Sequence, residues 1–343
     1  MGRARWARAR CTWAGRWVVA TVGVSVALAL GGALGSPAAG ASSTAPPSGG
    51  TADVAYAGSL QLLNEQTVGP AFSKATGIAY QGRGGGSFGL AQEIRSGEIA
   101  PNVFESVGAA PIRLLQPHFT RWYVSFASSP IVVAYNPHTS FAGRLAAIAR
   151  GRAPLSGLFR LMAQPGFLLG RTNPDTDPQG QAFSEMVELA QRRYHLAPGT
   201  TTKVLGALDN PSEVFAETAL DSRLQAGQLD AASAFRSQAI QLHMPYIALP
   251  PAIDLGDPSM ASTYAKASLT LSDHHVVRGV PLTVEITTLG TTDTAPAARF
   301  VAYTLSPTGR RAFSAAGYDV FRPTAVGRAA GIPLEVRHEL GSS

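Results

Sequence analysis

From Asp53 onward the chain alternates short β-rich apolar runs with stretches of helical period. Val54-Ala55-Tyr56 predicts a first strand, and Leu60 to Ala75 a helix closed by Gly77. Ile78-Ala79-Tyr80 predicts a second strand, followed by a glycine loop and a helix from Phe88 to Ser96, with Leu90, Ala91 and Ile94 on one face and Gly97 as its stop. The run Pro130 to Tyr135 is apolar throughout, as a strand buried on both faces requires. Helices follow from Pro178 to Tyr194 and from Ala219 to Ala226. In the first of these, Ala182, Phe183, Met186, Leu189 and Ala190 form an i, i+1, i+4, i+7, i+8 stripe that belongs in a core. Pro281 to Thr287 is a late strand, and Ala295 to Leu305 and Thr308 to Ala315 are closing helices. The alternation predicts an α/β fold with mostly parallel sheets and no internal repeat.

Before Asp53 the pattern is different. Arg3, Arg5, Arg8, Arg10 and Arg16 precede an unbroken small and apolar run from Trp17 to Leu34, and a small-residue stretch to Ser43 follows. These are the three parts of a secretory signal peptide, with cleavage expected near Ala41. An uncleaved anchor is the alternative, because the run approaches the roughly 18 residues of a spanning helix. Residues 42–52 read as a flexible linker by composition. The net charge of +6 is therefore misleading: five of the 28 basic residues lie in the first 16 positions, and the rest nearly balance 22 acidic ones. A global basic surface for nucleic acid is not expected. The single cysteine, Cys11, sits before the apolar run, which excludes a lipoprotein attachment and leaves the exported chain without thiol chemistry. At 45% hydrophobic residues the body is too apolar for disorder.

Two serines occupy equivalent places. Gly58-Ser59 follows the first strand, and Gly86-Ser87 leads into the helix after the second. Helix N-termini present unpaired N–H groups, and a preceding glycine lets an anion approach the backbone, so the pair could cradle an oxyanion. The alternative is that each serine simply caps its helix. Asp177 before Pro178 reads as an ordinary N-cap, and Glu217 as a solvated charge ahead of a helix. Gly85-Gly86-Ser87-Phe88-Gly89 matches the hydrolase pattern G-x-S-x-G, but Gln81 to Gly86 separate Ser87 from the predicted strand. His243, His274 and His275 are the bases such a reading would need, and His274-His275 reads as a solvated turn. No P-loop, zincin or EF-hand motif is present.

Taken in order, these segments resemble the molybdate/tungstate-binding proteins of ABC importers, especially their tungstate-binding branch. The resemblance runs from Val54 to Pro323. It rests on A-G-S at Ala57 to Ser59, the glycine-serine loop at Ser87, V-F-E-S-V at Val103 to Val107, and W-Y-V-S-F-A-S-S-P-I-V-V-A-Y at Trp122 to Tyr135. It continues with N-P-D-T-D-P-Q-G at Asn173 to Gly180, E-T at Glu217 and Thr218, L-x-A-G-x-L-D at Leu224 to Asp230, and F-R-S at Phe235 to Ser237. Phe235 stands where this branch places a tyrosine, and Gln179 where the family varies.

The resemblance implies a two-lobed type II periplasmic-binding-protein fold, each lobe a mostly parallel sheet flanked by helices, with the ligand in the cleft. Lobe 1 would comprise 53–130 and 286–325, lobe 2 131–285, and 326–343 a C-terminal tail. It implies that Ser59 and Ser87 donate to the oxyanion, with Gly58, Gly86 and the backbone of Ala134 beside it. It also implies that Asp177 and Glu217 reach the metal, expanding it from four- to six-coordinate. The expected function is a secreted carrier, a monomer and not an enzyme, with no cofactor, that delivers tungstate or molybdate to a permease and its ATPase. Alternatives are a phosphate or sulfate carrier, a secreted serine hydrolase on Ser87, and a membrane-tethered sensor.

Overall fold

The structure, a computed structural model, describes residues 49–290 and 294–341; the expected signal peptide and most of the expected linker lie outside them. Strand β1 (Thr51–Ala57) pairs in parallel with β2 (Ala79–Gly85) on one side and β3 (Val103–Val107) on the other. The glycine stretch expected as a loop is part of β2. Glycine is needed there because β1 lays Tyr56 across it: a Cβ on Gly82 would fall 2.1 Å from Glu65 Oε1 and 2.7 Å from Tyr56 Cε1. The Tyr56 hydroxyl donates to the same Glu65 oxygen at 2.6 Å.

After β4 (Trp122–Ser128) the chain leaves this sheet. β5 (Ile131–Tyr135) begins a second one, completed by β6 (Leu169–Gly170), β7 (Ala231–Phe235) and β8 (Tyr246–Ile247) in the order β6-β7-β5-β8. A hairpin of β9 (Ser268–Thr270) and β10 (Val276–Arg278) precedes β11 (Thr283–Thr288), which returns to the first sheet, and β12 (Asp319–Gly327) joins its edge. The first sheet runs β12-β4-β11-β3-β1-β2.

Both sheets are mixed. The expected parallel pairing holds for β1–β2, β1–β3 and β6–β7, whereas β11 and β12 run antiparallel to β4, β11 antiparallel to β3, and β5 antiparallel to β7 and β8. Parallel neighbours need a crossover on one sheet, and β5 and β11 instead arrive from the other sheet. The two crossings are bonded side by side: Ser129 N–H donates to Leu282 O at 3.2 Å, Ile131 N–H to Asp254 O at 2.8 Å, and Leu282 N–H to Leu255 O at 2.7 Å. Gly256 permits this approach, since a Cβ there would lie 2.6 Å from Pro130 Cβ.

Every residue of β5 is buried, as its apolar run requires, and the helix Pro178–Arg193 buries the predicted stripe. The C-terminal segment is not a loose tail. Its helix Leu334–Gly341 packs on the helix Thr294–Leu305 and buries Val336 completely.

Glu105, Glu185 and Glu285 are buried, and among the described residues none of them has an ion-pair partner. Burial pushes Glu105 up to about 7, and Glu185 and Glu285 up to about 8. These folded-state values lie above those of the unfolded chain, so the folded state holds extra protons at intermediate pH and loses that stability as pH rises through 7 and 8. Calorimetry should therefore find the Tm falling between pH 5 and pH 8, and Glu285→Gln should raise the Tm at pH 8 more than at pH 5. A Tm that rises over this range would contradict the assignment.

Candidate functional site

The 3-10 turn Gly58–Leu60 follows β1 directly, so Ser59 sits at the strand's carboxyl end, with its carbonyl taking the Tyr318 hydroxyl at 3.0 Å. Facing it from the second sheet's side is the helix Glu217–Gln225. The Glu217 carboxylate lies against Gly58, where a Cβ would fall 2.2 Å from Glu217 Oε2. The Ser59 backbone N–H donates to that carboxylate.

The second pair meets in the same way. Gly86 caps the helix Ser87–Ser96, and a Cβ on it would fall 2.5 Å from the Thr176 carbonyl oxygen and 3.3 Å from Asp177 Cβ. The Phe88 and Gly89 N–H groups both donate to that carbonyl at 3.1 Å. Helix-start donors expected to face a ligand are thus partly taken by a backbone carbonyl from the opposite side.

Neither serine caps a helix. Ser59 is the second residue of its turn and Ser87 the first of its helix, and neither helix start has a side-chain cap bond. Ser87 Oγ accepts from Val107 N–H at 3.2 Å, which leaves its own proton to donate. Ser59 Oγ is buried without a hydrogen-bond partner. Asp177 does cap, accepting from Gln179 N–H at 2.8 Å. Glu217 is not the solvated charge expected from its position: it is the first residue of its helix and 6% exposed. Ala134 is not brought to this cluster. It lies inside β5, opposite Ala232 of β7 and Tyr246 of β8.

Arg171 ties the two carboxylate-bearing segments together. Its backbone bonds Glu213 O at 2.8 Å and Phe215 N at 3.0 Å, and its buried guanidinium donates to the carbonyls of Leu205, Ala207 and Leu208. The loop before Glu217 is thereby fastened to the strand that leads to Asp177. Nothing in local spacing marks Arg171, Gln238 or Asp221, and Gln179 stands out in the sequence only as a departure from the family. Gln179 Nε2 donates to Glu217 Oε1 and to Gln238 Oε1, both at 3.0 Å, and Gln238 Nε2 donates to Asp221 Oδ2 at 3.3 Å. A cleft of about 150 Å³ lies against Ser59, Asp221 and Gln238.

Burial pushes Asp177 up to about 6. Burial, then Asp177, then Asp221 drive Glu217 well above its ordinary value. Among the described residues no Lys, Arg or His forms an ion pair with either acid. Two buried carboxylates without a cation cost several kcal/mol, roughly, unless a proton or an electrophilic ligand neutralises them.

The hydrolase pattern gains one feature and loses another. With β2 running to Gly85, Ser87 does follow a strand after a single residue, contrary to the expected loop. The histidines such a reading needs are all exposed, whereas Ser87 is fully buried.

The model of the bacterial extracellular solute-binding protein family matches residues 52–319. The chain belongs to that family. Its members are solute-binding proteins and not enzymes. A relative from Haloferax volcanii, named for molybdenum binding in an ABC transporter, is 34% identical over 249 residues, covering 72% of this chain and 74% of the relative. A molybdate/tungstate-binding protein of Thermococcus kodakarensis is 24% identical over 62% of this chain and 64% of its own length. The solved periplasmic molybdate-binding protein of Azotobacter vinelandii superposes with a TM-score of 0.52 at 17% identity, covering 77% of this chain and 97% of that one. The fold is the two-lobed type II architecture, one lobe on each sheet. Among the described residues no helix is long and apolar enough to cross a membrane.

The contact of Gly86 with Thr176 makes closure sensitive to a single methyl group. Small-angle scattering of Gly86→Ala should give a larger radius of gyration than the unaltered protein at unchanged circular dichroism. Equal radii would contradict a closing role for this contact.

Proposed function

We propose that this chain captures tungstate or molybdate outside the cytoplasm by closing its lobes on the oxyanion and delivers it to an ABC permease and its ATPase. One observation carries the reading. Two buried carboxylates, Asp177 beside Gly86 and Glu217 beside Gly58, meet the turns that carry Ser87 and Ser59, and among the described residues no side-chain cation pairs with either. Against a dianion this arrangement repels, unless the anion's centre accepts oxygen ligands.

Sulfate has no vacant coordination position and would meet bare repulsion. Phosphate can donate a proton to one carboxylate but has none for the second. Molybdenum and tungsten are hard, high-valent centres that take carboxylate oxygens directly. In this mechanism Ser59 and Ser87 donate to the oxo groups from lobe 1, and Asp177 and Glu217 ligate the metal from lobe 2. Gly58 and Gly86 keep the approach free of side chains. The ligand then stabilises the closed state by neutralising the acids that closure buries. The names of the relatives from Haloferax volcanii and Thermococcus kodakarensis support the same ligand class. A secreted monomer released from its signal peptide completes the reading.

Calorimetric titration of the chain from Ser42 onward should find tight binding of tungstate and molybdate, and sulfate and phosphate weaker by about a hundredfold or more, a gap of ~3 kcal/mol. Asp177→Ala and Glu217→Ala should each weaken tungstate binding at least tenfold, roughly. Tight sulfate or phosphate binding without tungstate or molybdate would overturn the ligand class. Unaltered binding by both variants would overturn the metal-ligation mechanism.

A further inference from the structure

Gln179 touches both carboxylates at once. Its backbone N–H donates to Asp177 Oδ1 at 2.8 Å, and its side-chain amide donates to Glu217 Oε1 at 3.0 Å. Each acid thus has one oxygen held by the same residue. The other oxygen of Glu217, Oε2, faces Gly58 across the interlobe contact. Asp177 Cβ lies beside Gly86 of lobe 1, and the Thr172 hydroxyl is its further neighbour in lobe 2.

The direction of the Gln179 amide is dictated by its surroundings. The backbone N–H of Phe235 can only donate, so the Gln238 atom it meets at 3.0 Å is the oxygen. That oxygen also receives Gln179 Nε2 at 3.0 Å, and Gln179 Oε1 receives the Ser233 hydroxyl at 2.7 Å. Gln238 Nε2 then turns to Asp221. Flipping Gln179 would set its oxygen against two other oxygens, those of Glu217 and Gln238. Gln179, Gln238 and Ser233 are all buried, so water does not offer replacement partners.

We propose that Gln179 is the positioning residue that fixes the coordination number of the bound metal. By bonding one oxygen of each carboxylate it turns the other toward the ligand, and that oxygen keeps a lone pair for the metal beside the bonds from Ser59 N–H and Thr172, so both acids ligate through a single oxygen. A tetrahedral oxyanion then reaches six ligands and not more. The same restraint stops Glu217 from turning its charge away, so an anion that cannot accept the ligand, such as sulfate, meets the full repulsion. This inference rests on the reading of Asp177 and Glu217 as metal ligands.

The test is Gln179→Met, which keeps the chain length and the backbone N–H but removes the side-chain donor. Circular dichroism and the Tm establish that it folds. Tungstate and sulfate affinities are measured by calorimetry, and the tungsten L3-edge X-ray absorption of the loaded protein reports the oxygen shell. The variant should lose about 10- to 100-fold in tungstate affinity, the worth of one hydrogen bond to a charged group, with no parallel loss for sulfate. The tungsten-to-sulfate ratio therefore narrows, and the tungsten oxygen shell departs from the native one. Unchanged affinity and an unchanged spectrum, in a protein where Glu217→Gln abolishes tungstate binding, would overturn the role of Gln179 alone. If the unaltered protein does not bind tungstate, or if Asp177→Asn and Glu217→Gln bind it normally, the ligand assignment falls and this inference with it. Should Gln179→Met fail to fold, Ser233→Ala replaces it. That change removes the hydroxyl that anchors the amide oxygen, so the amide is held less firmly; it should narrow the same ratio to a smaller degree, and a native ratio there would equally overturn the proposal.

Discussion

Two carboxylates share a buried place with no cation beside them, and much of the molecule is arranged around that fact. Desolvation, then the charges of Asp177 and Asp221, hold Glu217 well above its ordinary pKa, and desolvation pushes Asp177 to about 6. In the closed form the pair needs a proton or an electrophile. In the proposed mechanism an open cleft lets water solvate both acids, so closure without ligand is opposed by the cost of burying them, and closure around a metal that takes their oxygens is not. Selectivity and the coupling of binding to movement thereby come from one source.

The frame supplies the remaining contacts. Two crossings bonded to each other join the lobes, as a hinge requires. On one flank the Thr176 carbonyl meets the N–H groups of Phe88 and Gly89. On another, Arg236 reaches Gly317 O at 3.0 Å and Asp319 at 2.8 Å, while Gln241 reaches Ala316 O at 3.3 Å. The Arg236–Asp319 pair is partly exposed and contributes about 0–1 kcal/mol. These bonds align the facing surfaces, and in the proposed mechanism the cluster of acids decides whether closure persists. Arg171 serves the same end within lobe 2 by fastening the Glu217 loop to the Asp177 strand.

Much of the frame was legible in the chain. The all-apolar β5, the stripe on the helix from Pro178, and the glycine stops at Gly77 and Gly97 each lie where local periodicity placed them, because burial there depends on neighbours in sequence. The sheets' mixed direction was not legible, since it follows from how the chain passes between lobes. The glycines of β2 read as a loop because the ring of Tyr56 that demands them lies on another strand. Asp177 and Glu217 drew bland readings from spacing, and only the family resemblance marked them as ligands; their convergence on Gly58 and Gly86 depends on segments brought together across the lobes. Gln179 escaped for the same reason, as its partners Glu217 and Gln238 lie 38 and 59 residues away. Ala134 was drawn in by its position near the crossing strand, and its place in the sheet interior removes it.

The most direct test of the central claim is a crystal structure of the protein grown with tungstate, with data collected at the tungsten absorption edge. The account predicts one anomalous peak between Ser59 and Ser87 on one side and Asp177 and Glu217 on the other, with one oxygen of each carboxylate bonded to the metal. A tungsten peak elsewhere, or one in the cleft whose shell excludes both carboxylates, would contradict it.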